Sequence, residues 1–202
     1  MKNLDKIKKV IGIVIILLIV VIGVYAVLIV LPNKDKDSET KEVDKIKYSD
    51  MQYIQYNRDT KLYKGVFADL KDILNKEEID YEKYAEYISK LFVIDLYSLS
   101  NKNSKQDIGG VQYLKEELKE NFILNASNTM YKYISLDSSE LPEVKSIELV
   151  SIDKTEYSIK DTKYEAYNVN LKWEYKKDLG YDKEGKIVVI KDGEELYIVE
   201  KE

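Results

Sequence analysis

YNVNLKWEY (residues 167–175) alternates without a break: Tyr167, Val169, Leu171, Trp173 and Tyr175 against Asn168, Asn170, Lys172 and Glu174. A period of two places the first set on one face of a β-strand and the second on the other. One apolar face and one polar face mark a sheet that covers a core on one side only, as antiparallel sheets do. Working outward, residues 144–152 and 156–159 read as one or two earlier strands, and residues 160–163 as a turn into the strong strand. Downstream, residues 186–191 and 194–200 flank Asp192-Gly193. Asp-Gly between two β-rich runs predicts a hairpin, because a type I′ turn needs positive φ at both central positions.

Upstream of Pro142 the period is helical. Leu62, Tyr63, Val66, Phe67, Leu70, Ile73 and Leu74 recur at three and four, and Asp59 or Thr60 can cap them. Asp80 then precedes Tyr81, Tyr84, Ala85, Ile88, Leu91 and Phe92 on one face. LFVIDLY (residues 91–97) widens that face almost all round, so this helix is expected to be the most buried. A third helical segment spans residues 111–135, with a bend expected near residues 121–125. Helices first and strands afterwards predict an α+β domain, about three helices packed on a curved antiparallel sheet of about four strands.

The N-terminal end reads differently. VIGIVIILLIVVIGVYAVLIVL (residues 10–31) holds no charge. About 20 apolar residues, at roughly 1.5 Å rise each, cross a hydrocarbon core of about 30 Å. The core exceeds that of a signal peptide and lacks a small-x-small site, so it reads as an uncleaved single-pass transmembrane anchor. Lys2, Lys6, Lys8 and Lys9 stand close before it, whereas the lysines after it are diluted by acids. That bias predicts a cytoplasmic N-terminus and an extracytoplasmic C-terminal domain. The expected division is a cytoplasmic tail (1–9), the transmembrane helix (10–31), a charged linker (32–47) and the exported α+β domain (48–202). The second half of the linker admits a helix, since Val43, Ile46, Met51 and Ile54 fall near one face.

Composition excludes several chemistries. The chain has no histidine and no cysteine. Imidazole bases, thiol nucleophiles, disulfides and the usual zinc sites go with them. Arg58 is the only arginine, so guanidinium forks for phosphate are almost absent. The net charge is −5 with no lysine cluster clear of acids, which argues against nucleic acid as a partner. The 18 tyrosines partly reflect an AT-rich bacterial codon bias.

Asp95 is the sole candidate catalytic residue. The spacing Tyr84, Ile88, Leu91, Asp95 places it on an apolar face, where a carboxylate is desolvated and becomes a possible general acid or base. The plainer reading bonds it to a tyrosine hydroxyl or a backbone amide near the helix end. Asp178, Asp182 and Glu184 lie in KKDLGYDKEGK, but their spacing does not match a calcium loop, and a solvated connection is expected. Asp107-Ile108-Gly109-Gly110 precedes the third helix without a P-loop lysine-serine pair, and reads as a turn rather than an anion site. Tyr53, Tyr56, Tyr63, Tyr81, Tyr84 and Tyr87 offer either an aromatic binding surface or a core edge. No metal or cofactor site is expected.

Three helices followed by about four meandering strands behind one span resembles the nuclear-transport-factor-2-like cone fold. More narrowly, the chain looks like the exported domains of type IV secretion and Gram-positive conjugation assembly proteins. The helix at residues 81–97, the strand at 167–175 and the hairpin around Asp192-Gly193 carry the resemblance. It covers about residues 60–200, rests on element order, and carries over no functional residue. It implies a protein-binding or scaffold domain at the bacterial cell envelope, with protein partners and self-association, held to the membrane by residues 10–31. The alternatives are a small-ligand or sensory cup, and a lyase or isomerase using Asp95.

Overall fold

The computed structural model describes residues 42–202 apart from 136, 137 and 139. The apolar run at residues 10–31 and the tail before it lie outside the described residues, and among those described no helix is long and apolar enough to cross a membrane. Residues 42–202 form one compact unit. It is α+β, with three α-helices, a two-stranded sheet and a four-stranded antiparallel sheet.

The chain opens on a hairpin, β1 (Glu42–Tyr48) and β2 (Met51–Tyr56), closed by Ser49 and Asp50. This corrects the expectation of a linker with a helical second half. Ile46 and Tyr53 share one face of the hairpin and are buried against the helices. Glu195 receives the amides of Asp50 and Met51 through Oε1, and Lys71 pairs with Asp44, so the hairpin is held by partners far away in sequence.

Helix α1 (Lys61–Leu74) starts at Thr60, whose hydroxyl accepts the Tyr63 amide at 3.1 Å. This satisfies one of the orphan donors of the first turn. Helix α2 (Tyr81–Tyr97) starts at Asp80, whose carboxylate accepts the Lys83 amide at 3.0 Å. As LFVIDLY predicts, α2 buries its C-terminal half nearly all round, packing on α1 and on all strands of the larger sheet.

The third segment departs from expectation. Residues Val111–Tyr113 form a 3-10 turn, and Leu114 is extended and bridges Ile198 in parallel. Helix α3 (Glu116–Asn128) then runs unbroken through residues 121–125 and stops at Asn128. Both ends are set by tertiary contacts. Lys115 bonds Asp192 and lies 4.6 Å from the Tyr164 ring centroid, which pins the entry. At the exit, buried Tyr131 donates its hydroxyl to the Leu96 carbonyl, which draws the chain inward. Tyr133, inside the segment expected to be helical, lies beyond the end of α3 and is 81% exposed.

The larger sheet is a meander in the order β3 (Val144–Ile159), β4 (Thr162–Tyr175), β5 (Glu184–Asp192) and β6 (Glu195–Lys201). Residues 144–159 make one continuous strand with two register shifts against β4. The β5–β6 turn sits one residue later than the sequence suggests. Asp192 pairs with Glu195, leaving Gly193 and Glu194 as the loop, with positive φ at Gly193 alone.

Tyr167, Val169, Leu171, Trp173 and Tyr175 all face the helices and are buried. Tyr97 of α2 stacks on Trp173 at 5.5 Å between centroids, and Trp173 Nε1 donates to the Tyr175 hydroxyl at 3.0 Å. At the hairpin end, Tyr53 stacks on Tyr113 at 5.5 Å, and its hydroxyl shares a hydrogen bond with that of Tyr84. Aromatic rings thus pack against α2 at both its hairpin end and its sheet end. A buried aromatic pair is worth about 0.5–1.5 kcal/mol beyond the area it hides.

Candidate functional site

Asp95 lies in the last turn of α2 and faces the loop that connects α2 to α3. One carboxylate oxygen receives Lys102 Nζ, and the other receives the Gly110 amide at 2.7 Å. Only 1% of the Lys102 side chain is exposed. The Asp107-Ile108-Gly109-Gly110 turn brings the amide there. Gly109 sits directly on the α2 backbone, so close that a Cβ would come within 2.0 Å of the Asp95 carbonyl oxygen. Gly110 adopts φ +82, where the lack of a side chain avoids the usual steric penalty. The two glycines are therefore a docking device, not an anion site. The Asp95 carboxylate is a fastener between helix and loop, with both oxygens engaged.

A cavity of about 290 Å³ opens beside this fastener. Asp95 lines it, together with Asp59, Tyr63, Asp107 and Gln112. The Gln112 side chain pairs with both backbone groups of Ile54 and donates to the Tyr63 hydroxyl at 2.8 Å. The Tyr63 hydroxyl is bonded in turn to that of Tyr113, and burial pushes both phenols well above their ordinary range. Arg58 donates to Asp107 at 3.0 Å and lies 5.0 Å from the Tyr56 ring centroid.

Asp59 is the group that sequence reading missed, since its position before a helix suggested only a cap. It is 8% exposed, and Oδ2 accepts the Tyr56 amide at 2.6 Å. Burial raises its pKa from 3.8 to about 6; the Tyr56 amide opposes this, the Asp95 charge adds to it, and Lys102 and Arg58 oppose it. Between about pH 4 and pH 6 the unfolded chain gives up this proton and the folded chain keeps it. Stability therefore falls as pH rises through that window, and the full cost, about 3 kcal/mol, is present above it. Asp59→Asn keeps an acceptor for the Tyr56 amide and removes the charge. It is expected to stabilise the domain by about 2–3 kcal/mol at pH 8 and to be neutral near pH 3.5, read from urea midpoints. Equal midpoints at pH 8 would rule out the buried charge as a cost.

The second concave region is apolar. A groove of about 500 Å³ runs between α2, α3 and β6, lined by Phe92, Leu96, Leu118, Phe122, Met130 and Ile198. Glu200 and Lys201 of the edge strand border it. Phe122 reaches across to Phe92 at 5.7 Å between centroids, while among the residues of α3 only Ala126 is fully buried. Ile123 (39% exposed) and Leu124 (57% exposed) lie on other faces of α3 and do not line the groove, whereas Asn125 lines it and is exposed.

The other sequence candidates resolve simply. Asp178 bonds Lys183 and the Gly180 amide within its own loop, as a solvated connection does. Among the described residues no three acidic side chains converge as a metal site would require. Tyr53, Tyr63 and Tyr84 are core residues, so the first helices present no continuous tyrosine surface. No family model matches the chain, and no curated protein or solved structure is significantly similar to it.

Proposed function

We propose that this chain is a single-pass, membrane-anchored protein whose extracytoplasmic domain binds other proteins, as a scaffold component of a secretion or conjugation assembly. The observation that carries the protein-binding reading is the apolar groove between α2, α3 and β6. Contiguous apolar surface of this kind marks interaction sites on soluble domains. The buried faces of α2 and β4 share one apolar core, with Tyr97 stacked on Trp173, which supports a scaffold over a deep ligand cup. The lyase or isomerase reading has less support, because Asp95 holds Lys102 and the Gly110 amide. The anchor at residues 10–31 and the assembly assignment rest on sequence pattern and element order.

Mild cross-linking of the tagged full-length protein in intact cells tests the reading. Asn125→Arg, which puts a bulky charge at the groove, should leave stability within about 0.5 kcal/mol of wild type, since the residue is exposed. It should also abolish the cross-linked species, whether these hold a partner or a second copy. Species that persist unchanged in Asn125→Arg would place the interface elsewhere. A protein recovered only at monomer size would end the scaffold reading.

A further inference from the structure

We infer that the cavity bounded by Asp59, Asp95 and Gln112 binds a small primary alkylammonium ion, with Asp59 as its counter-charge. Three carboxylates (Asp59, Asp95, Asp107) face the positive charges of Arg58 and Lys102. Two of the carboxylates are spoken for, Asp95 by Lys102 and Asp107 by Arg58. That leaves Asp59 as the one carboxylate of the group without an ion-pair partner. Its Oδ2 holds the Tyr56 amide, whereas Oδ1 takes no hydrogen bond from the described residues, and Asp59 lines the cavity. A carboxylate this deeply buried is normally paired or neutralised.

The remaining walls define the rest of the ligand. Ile54, Ile108 and Val111 supply apolar surface, and the Tyr56 and Tyr63 rings stand beside them. An alkyl chain suits these walls, and an ammonium group satisfies Oδ1 with a charge-assisted hydrogen bond. The volume of about 290 Å³ admits a chain of a few carbons, not a peptide. The Gln112 side chain borders both the cavity and the Tyr63–Tyr113 pair, which makes it a reporter for occupancy.

The test is a titration of the ¹⁵N-labelled full-length chain in detergent micelles with n-propylammonium chloride, following the Gln112 side-chain amide and the Gly110 amide. Sodium propionate serves as the charge-reversed control. A saturable shift with the ammonium ion and none with propionate is expected. Asp59→Asn should weaken the apparent affinity about tenfold or more. Wild type at pH 5 should show a similar loss, because the Asp59 carboxylate, held among Tyr56, Arg58, Tyr63, Asp95, Lys102 and Asp107, takes up a proton at about pH 6. The pH arm needs no variant, so it stands even if the substitution perturbs the fold. No saturable shift at pH 8, an equal response to propionate, or an affinity unchanged in Asp59→Asn would overturn the inference. This result does not depend on the groove: cross-linked species can be lost in Asn125→Arg whether or not the cavity fills.

Discussion

Replacing Asp95 with alanine is expected to destabilise the domain by roughly 3–5 kcal/mol. The loss comes from what the substitution strands. The Lys102 side chain, only 1% exposed, keeps its charge but loses its carboxylate partner. The Gly110 amide loses its acceptor at the same time. A pair of substitutions behaves differently. Asp95→Leu combined with Lys102→Met removes both charges and is expected to recover most of the loss, because an intact buried ion pair carries its own desolvation cost. Trp173 is the only tryptophan and lies buried against Tyr97, so its fluorescence in urea reports on this core directly. A single-variant cost below about 1 kcal/mol would show that the pair is not a fastener.

Gly109→Ala is expected to be nearly as damaging, at about 3 kcal/mol or more, for a steric reason. The added Cβ meets the Asp95 carbonyl oxygen at 2.0 Å and the Leu96 amide nitrogen at 2.8 Å. Both are backbone atoms of a buried helix and cannot swing aside. The turn at residues 107–110 must lift, which breaks the Gly110–Asp95 bond and the bond from the Gly109 amide to the Tyr131 hydroxyl. Gly65→Ala in α1 provides the contrast. Nothing lies within 4 Å of its Cβ, so it should stabilise by about 0.5–1 kcal/mol through helix propensity. Comparable costs for the two variants in the same urea titration would exclude close packing at Gly109.

Asp95, Gly109 and Lys102 show how far the sequence alone reaches. The helical spacing that put Asp95 on the apolar side of α2 holds, and one of its plain alternatives, a backbone amide, is the bond observed. Its ionic partner was not legible. Lys102 and Gly110 come from an irregular stretch whose side chains follow no period, and only the docking of that stretch against α2 decides which of them meet. Asp59 was legible only as a cap candidate. Its free oxygen depends on where β2, α1 and α2 converge, which no local spacing encodes.

The apolar periods determined three helices and an antiparallel meander, because burying one face of each element is a local constraint written every two or every three to four residues. The same local logic supplies the expectation of a span at residues 10–31. Tertiary structure decided the rest. Charged residues 42–56 became a hairpin because Glu195, Lys71 and Tyr84 offer distant partners for its amides, its acid and its buried ring. Helix α3 began late because Leu114 joined β6, and ended early because Tyr131 reached the α2 carbonyl. The cavity at Asp59 and the groove beside β6 exist only once these pieces meet, since long-range contacts, not local propensity, set the space between elements.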